Sequence, residues 1–156
     1  MEIKNLKLKN PRKIAFGHLN INSIWNKFVP IKEDINNNLD FIIFSETKLG
    51  DSFPKGNFEI PGYKQYRSDM SETQGGLLIF IRDDIPSSQL NQFKLPRDIQ
   101  MLPIEINLRK QKWLFLPFYR PPPTSHPEVN KEHFLATLNN TINHYKTYSN
   151  SLLRVT

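Results

Sequence analysis

Short apolar runs bounded by polar residues recur along the chain and predict buried β-strands. The clearest runs are residues 14–19, 41–44 and 77–81. Runs of this length suit strands that are covered on both faces, because a helix usually needs about ten residues or more. A shorter strand is predicted at residues 63–66, directly after the turn signal of Pro61 and Gly62.

Two stretches show helical spacing instead. Apolar residues recur every three or four positions between residues 24 and 39, after a candidate N-cap at Asn22 or Ser23. Pro30 predicts either a kink or a late start of this helix, because proline cannot donate a hydrogen bond to the preceding turn. A second helix is predicted to start at Ser125 and to extend past Tyr145, followed by a strand at residues 151–155.

The pattern between these helices predicts a β-hairpin. Its strands are residues 101–108 and 112–119, with a turn at residues 109–111, whereas residues 83–98 predict no regular element. Strands outnumber helices, so the expected class is α/β with a mixed or largely antiparallel sheet.

Composition supports a folded domain. The chain has 156 residues, of which 38% are hydrophobic, and the 11 Phe, five Tyr and two Trp can supply a core. No apolar run approaches the ~20 residues of a membrane span, and the first residues lack the apolar stretch of a signal peptide. The expected location is therefore nuclear or cytoplasmic, without a membrane partner. The absence of cysteine excludes disulfides and cysteine-based catalysis or zinc sites.

The charge balance points to an anionic partner. There are 21 Lys and Arg against 15 Asp and Glu, which gives a net charge of +6. Such a surface attracts nucleic acid, although a merely solvated basic face is the alternative. Arg109, Lys110 and Lys112 make the hairpin turn basic, and Trp113 beside them could stack on a base, although hairpin aromatics more often belong to a core.

Three polar side chains follow apolar strands and form the candidate site. Asn20 follows the first strand, Glu46 the second, and Tyr119 the last strand of the hairpin. If these strand ends meet at one edge of a sheet, a carboxylate, an amide and a phenol converge there. This set suits Mg²⁺ and a phosphate group. The alternative is that strand ends are polar only because they lead into solvated loops.

Four motifs in order add a family resemblance. Residues 18–23 (HLNINS), 45–49 (SETKL), 75–80 (GGLLIF) and 118–122 (FYRPP) resemble motifs of the endonuclease/exonuclease/phosphatase superfamily. The chain is most similar to the apurinic-type endonuclease domain of non-LTR retrotransposons. The resemblance covers residues 13–156 and leaves residues 1–12 as a basic leader.

The resemblance implies a fold and an activity. The fold is an α/β sandwich in which two mixed β-sheets pack face to face between helices, and the activity is Mg²⁺-dependent hydrolysis of DNA. It assigns Glu46 as the Mg²⁺ ligand, Asn20 as the support of the metal and phosphate site, and Tyr119 as the residue beside the scissile phosphate. Arg67 and Arg120 become candidate DNA-backbone contacts, with a solvated loop arginine as the alternative for Arg67.

Two family motifs are missing from this sequence. Family members carry a Gly-Asp-x-Asn motif after the last helix and a Ser-Asp-His motif further on, and the latter activates the attacking water. His18 is the only histidine near the presumed site, and we interpret it as a local hydrogen-bonding residue. We therefore expect a C-terminally truncated, incomplete sandwich with an uncovered inner sheet face. This predicts marginal stability, aggregation or dependence on a partner, and a nuclease that is inactive or impaired. A non-catalytic nucleic-acid-binding remnant and a decayed element without selected function are the alternatives.

Overall fold

The structure, a computed structural model, describes residues 5–35, 37–93, 95–96, 99–120 and 131–153, with side chains up to residue 147. The helices are α1 (Leu6–Lys9), α2 (Phe28–Ile35) and α3 (Lys131–Leu153), with a 3₁₀ turn at Lys55–Asn57. The strands are β1 (Phe16–Asn20), β2 (Phe41–Ser45), β3 (Tyr63–Ser68), β4 (Leu77–Arg82), β5 (Ser87–Gln89), β6 (Gln100–Met101), β7 (Ile104–Leu108), β8 (Gln111–Phe115) and β9 (Phe118–Tyr119).

The first sheet is mixed and has the strand order β1-β2-β4-β3. β1 runs parallel to β2, whereas β4 is antiparallel to both of its neighbours. In this register Asn20 lies beside Ser45, and Ser45 lies beside Leu77. The ends of β1 and β2 and the beginning of β4 therefore share one edge of the sheet.

Proline residues divide the predicted hairpin into two small sheets. β7 and β8 pair in a sheet of order β5-β7-β8, while β6 pairs with β9. Pro103 stands between β6 and β7, and Pro117 between β8 and β9. Proline has no N–H to donate to a ladder, so the ladder breaks at both positions. The predicted single hairpin is thus wrong in extent, its turn is only Arg109 and Lys110, and β5 forms where no element was predicted.

Buried clusters cover both faces of the first sheet. Phe44 and Phe80 face α2, which contributes Phe28, while Phe41 and Ile79 belong to a cluster with Ile104 of β7 and neighbouring residues. The expectation of a broadly uncovered inner face is wrong for the central strands, because the second sheet packs on them. On the inner face, Phe16 of the edge strand β1 is 54% exposed, whereas Leu19, which is 44% exposed, lies on the face toward α2.

The first predicted helix starts late, as Pro30 allowed. Residues 25–27 form a turn, and α2 begins at Phe28, so Pro30 lies in the first helical turn, where no N–H is required. The short helix α1 was not predicted, and it ties the basic leader to the sheet. Its Lys7 ammonium lies 2.6 Å from the buried carboxylate of Asp40, which directly precedes β2.

The last helix extends further than predicted. α3 continues to Leu153, so the strand predicted at residues 151–155 is wrong for 151–153. Neither Gly nor Pro occurs within α3 to stop it. The predicted N-cap at Ser125 and residues 154–156 lie outside the described residues. No helix among the described residues has the length and apolar character needed to cross a membrane.

Candidate functional site

The carboxylate of Glu46 receives two hydrogen bonds on one oxygen. Asn20 Nδ2 donates to Oε1 over 3.0 Å, and the Tyr119 hydroxyl donates to the same Oε1 over 2.5 Å. The other oxygen, Oε2, accepts no hydrogen bond from the described residues. The structure thus brings together the three side chains that the strand ends predicted, and it leaves one carboxylate oxygen free for a ligand.

The backbone around Glu46 is unusual for non-glycine residues. Glu46 and Lys48 both have left-handed backbone conformations, with φ angles of 55° and 53°. Such positions carry a steric cost and are concentrated at functional sites. Two hydrogen bonds to the neighbouring turn hold this loop: Thr47 N donates to Gly76 O over 3.3 Å, and Lys48 N donates to Gly75 O over 2.9 Å.

The segment after β1 holds the same loop from the other side. Ser23 N donates to Glu46 O over 2.8 Å, and Ile24 N donates to Thr47 O over 3.1 Å. Ser23 is itself left-handed, with a φ of 75°. The backbone of residues 45–48 therefore accepts hydrogen bonds from the segment after β1 and donates hydrogen bonds to the turn before β4. This framework keeps the Glu46 side chain directed toward Asn20 and Tyr119.

Gln100 is a site residue that the sequence analysis missed. Its side chain is buried, and its Oε1 accepts a 2.8 Å hydrogen bond from the N–H of Gly76. On β6 it lies directly opposite Tyr119 of β9. Gln100 thus connects the turn that supports Glu46 with the strand that carries Tyr119. The available signal was one polar residue inside the apolar run 99–102, which marks a buried polar group that needs a partner.

Glu46 and Tyr119 shift each other's pKa in opposite directions. The hydrogen bond from Tyr119, followed by that from Asn20 and the charge of Lys48, lowers the pKa of Glu46. Burial, followed by the hydrogen bond and charge of Glu46, raises the pKa of Tyr119. Glu46 is therefore ionised and Tyr119 protonated at neutral pH, as a cation ligand and a hydrogen-bond donor must be.

Removal of the Tyr119 hydroxyl is expected to raise the pKa of Glu46. The Tyr119→Phe variant lacks the donor with the largest influence on this carboxylate. A lowered pKa in the folded state stabilises the fold at pH values above the pKa of the unfolded state, and this stabilisation is lost as the pH falls through the folded-state pKa. The free energy of unfolding should therefore fall less with acid in the variant than in the wild type. A ¹³C NMR titration of the carboxylates measures the shift. Tyr66→Phe, which removes a hydroxyl bonded to Ser87, is the control; an unchanged Glu46 pKa in Tyr119→Phe contradicts the prediction.

Arg67 lies in a different environment from the predicted loop. It belongs to β3, and its side chain is only 4% exposed. Its guanidinium donates to Gly50 O, Phe53 O and Asp69 Oδ1 over 2.6 to 2.8 Å. The loop placement was therefore wrong, and the geometry favours a clamp on residues 50–53 over a contact to DNA. Arg120 follows β9, and its buried Nε has no hydrogen-bond partner among the described residues.

The donor set fits a magnesium ion with a largely aqueous shell. No group of three or more His, Cys, Asp and Glu side chains converges within the described part of the chain. Mg²⁺ needs only one or two protein carboxylates when water and phosphate oxygens complete its octahedron. The free Oε2 of Glu46 supplies one such oxygen. His18 is occupied locally, since its Nε2 lies 3.1 Å from Ser45 Oγ.

Comparison with solved structures identifies proteins that share this fold. The chain superposes on the endonuclease domain of TRAS1, a telomere-specific non-LTR retrotransposon, with a TM-score of 0.56 and 12% identity over 85% of this chain and 54% of that one. It superposes on the 3′ phosphatase NExo from Neisseria bound to product DNA hairpin with a TM-score of 0.54 and 18% identity, over 86% and 53%. The 3′-5′ exonuclease NExo from Neisseria meningitidis gives 0.51 and 20%, over 86% and 52%.

The chain spans only about half the length of these structures, between 52% and 54% of each. No protein-family model and no curated protein matches the sequence. The strand arrangement, with helices beside mixed and antiparallel sheets, agrees with the sandwich that the resemblance implied, although only the first sheet is mixed within the described residues. The chain shares the fold of these solved structures, in agreement with the fold that the resemblance to the endonuclease/exonuclease/phosphatase superfamily implied.

Proposed function

We propose that this chain carries the metal- and phosphate-binding part of a Mg²⁺-dependent DNA endonuclease. The observation that carries the proposal is the Glu46 carboxylate, which has one oxygen fixed by Asn20 and Tyr119 and the other free. The nuclease-type neighbours support it, since one is a retrotransposon endonuclease and another is bound to a DNA product. The +6 net charge suits a polyanionic substrate.

Each of the three side chains has a distinct role in this proposal. Glu46 would hold Mg²⁺, which supplies charge stabilisation at the phosphate oxygens when bound. Asn20 orients the carboxylate through its 3.0 Å hydrogen bond. Tyr119 keeps its proton because its pKa is raised. That single proton, which bonds Glu46 Oε1 in this structure, would turn to a phosphate oxygen when the substrate binds. Arg120, directly after Tyr119, is a candidate contact to the DNA backbone.

Activation of the attacking water needs a base that these residues do not include. The resemblance assigns that work to the Ser-Asp-His motif, with the Gly-Asp-x-Asn motif contacting the nucleophile, and neither motif occurs in the 156 residues. His18 is bonded to Ser45 and contacts no carboxylate among the described residues. We therefore expect residues 13–156, the endonuclease-type portion, to hydrolyse DNA slowly on their own, with residues 1–12 as a basic leader.

A plasmid-nicking assay tests this proposal. The 156-residue chain is expected to nick supercoiled plasmid slowly in Mg²⁺ and not in EDTA, and Glu46→Gln should abolish the residual nicking. Glu33→Gln, which neutralises an exposed carboxylate on α2, is the matched control and should leave nicking unchanged. Nicking that persists in Glu46→Gln refutes the site. Rapid nicking by the wild type refutes the expected impairment.

The basic surface also favours a second candidate function, nucleic-acid binding without cleavage. In that case DNA binding should be salt-sensitive and should survive Glu46→Ala, whereas metal-dependent nicking should be absent. A decayed element without selected function predicts neither binding at low salt nor nicking. The same protein preparations therefore separate the three alternatives when binding and nicking are measured side by side.

A further inference from the structure

A cleft lies at the opposite end of the first sheet from Glu46. It has a volume of about 680 Å³ and lies between the segment before β1, the end of β4 and the turn of the β7–β8 hairpin. β1 and β2, of five residues each, separate the two ends. At about 3.3 Å per residue, that separation is roughly 17 Å. The cleft is therefore a separate place on the surface.

The charges in this cleft do not cancel. Its lining includes two carboxylates, Asp40 and Asp84, and both are already paired. Lys7 and Arg82 contact Asp40, and Arg82 also contacts Asp84. Three further cations line the cleft and take part in no ion pair among the described residues, namely Arg12, Lys13 and Arg109. The cleft thus presents unneutralised positive charge to solvent.

An exposed aromatic ring continues the same surface. An adjoining groove of about 370 Å³ shares Arg12, Lys13 and Arg109 with the cleft and adds Trp113 of β8. The side chain of Trp113 is 53% exposed, so the hairpin does not use it as core. An exposed indole beside unpaired cations is the combination that binds a base and its phosphates together.

The hairpin turn keeps two cations at a steric cost. Arg109 and Lys110 form a two-residue turn between the paired residues Leu108 and Gln111, and both are left-handed, with φ angles of 53° and 65°. Turns of this kind strongly favour Asn-Gly. Both side chains are exposed, so packing does not explain their presence. Left-handed residues that packing does not explain point to a function of the side chains.

We propose that this cleft binds single-stranded nucleic acid. Arg12, Lys13 and Arg109 contact successive phosphates, and an unpaired base stacks on Trp113. A single strand fits better than a duplex, because paired bases cannot present a face to an indole. This site goes beyond the proposed nuclease function and does not depend on Glu46, Asn20 or Tyr119.

Fluorescence anisotropy with a labelled oligothymidine of 20 nucleotides tests the proposal. Measurement in EDTA at low salt keeps binding independent of nicking, so the failure of either proposal is distinguishable. The combined Arg12→Glu, Lys13→Glu and Arg109→Glu variant should bind at least about tenfold more weakly. A charge-matched control changes Lys55, Lys131 and Lys146 to Glu, all exposed and outside the cleft, and should lose much less. Equal losses in both variants overturn the proposal.

Two further variants separate stacking and folding from charge. Trp113→Ala should weaken binding by about fivefold or more, through loss of stacking. The Arg109→Asn and Lys110→Gly pair installs the favoured turn, so it should fold at least as stably as the wild type and still bind more weakly. Unchanged binding in this stably folded pair contradicts the proposal, as does equal or tighter binding of a duplex of the same length. Binding to phosphatidylserine vesicles but not to the oligonucleotide would assign the cleft to a membrane surface instead.

Discussion

Substitution of Gly76 by alanine is expected to destabilise the fold by about 3–5 kcal/mol, through backbone strain and overpacking together. Gly76 has a φ of +97°, a conformation that side chains rarely adopt. A Cβ built there would lie 2.1 Å from Thr47 Oγ1 and 3.3 Å from the backbone N of Lys48. Both atoms belong to the loop that carries Glu46, and Thr47 is fully buried, so neither has room to move away.

Gly62→Ala is the matched control, because it separates strain from collision. Gly62 also has a positive φ, +81°, but an added Cβ there meets nothing within 4 Å. This variant should lose only about 1–2 kcal/mol, the cost of a left-handed side chain. Urea unfolding measures both losses. If Gly76→Ala loses no more than Gly62→Ala, the close packing of Gly76 against Thr47 is wrong.

The consequence of Gly76→Ala should extend to the candidate site. The turn that contains Gly76 accepts hydrogen bonds from Thr47 and Lys48 and donates one to Gln100. A displaced turn moves Glu46 on one side and the β6–β9 pair with Tyr119 on the other. In the folded fraction of Gly76→Ala, the pKa of Glu46 should therefore rise toward its ordinary value, as in Tyr119→Phe.

The sequence was sufficient for the parts of the fold that local patterns determine. The apolar runs became β2 and β4 because each strand is buried on both faces, which leaves an uninterrupted signal. Pro30 located the start of α2 because a missing N–H is tolerated only in a first turn. Asn20 and Glu46 converge because the ends of β1 and β2 meet at one sheet edge, as predicted, whereas Tyr119 reaches them from β9 of a separate sheet.

The remaining features depend on contacts between distant residues, which no local pattern reports. The carboxamide of Gln100 bonds a residue 24 positions away, and the ion pair of Lys7 with Asp40 spans 33 positions. The prediction for Arg67 was wrong for the same reason. Its partners at residues 50 and 53 lie on a loop whose proximity to Arg67 cannot be read from the local sequence. The break of the hairpin at Pro103 and Pro117 was readable in principle, since proline interrupts a ladder.

The two ends of the first sheet have different chemistry. The end with Glu46 combines an ionised carboxylate with neutral donors, which suits a metal ion and a phosphate. The other end combines unpaired cations with an exposed indole. Both surfaces need the first sheet to remain packed on the two smaller sheets, because β9 of one carries Tyr119 and β8 of the other carries Trp113. The packing between the sheets is therefore the property on which both proposed sites depend.

Ile79→Ala is expected to destabilise the fold by about 2–5 kcal/mol, because it leaves a cavity between the sheets. Ile79 lies in the middle of β4, is fully buried, and belongs to the cluster that contains Phe41, Ile104 and, at its margin, Tyr119. If the inner face of the first sheet were uncovered, the same substitution would cost little, since the side chain would already contact water. Urea unfolding of this one variant thus decides between a covered and an open face.

Ile14→Ala supplies the comparison with the same residue type on the surface. Ile14 is 42% exposed, so its truncation should cost less than about 1 kcal/mol. A large difference between the two variants establishes that β7 and its neighbours cover β4 in solution. Similar small losses would mean that the second sheet is detached. That would also displace β9, which begins three residues after the end of β8, and with it the hydrogen bond of Tyr119 to Glu46. The pKa of Glu46 in Ile79→Ala gives an independent measure, because it should rise only if the sheets loosen.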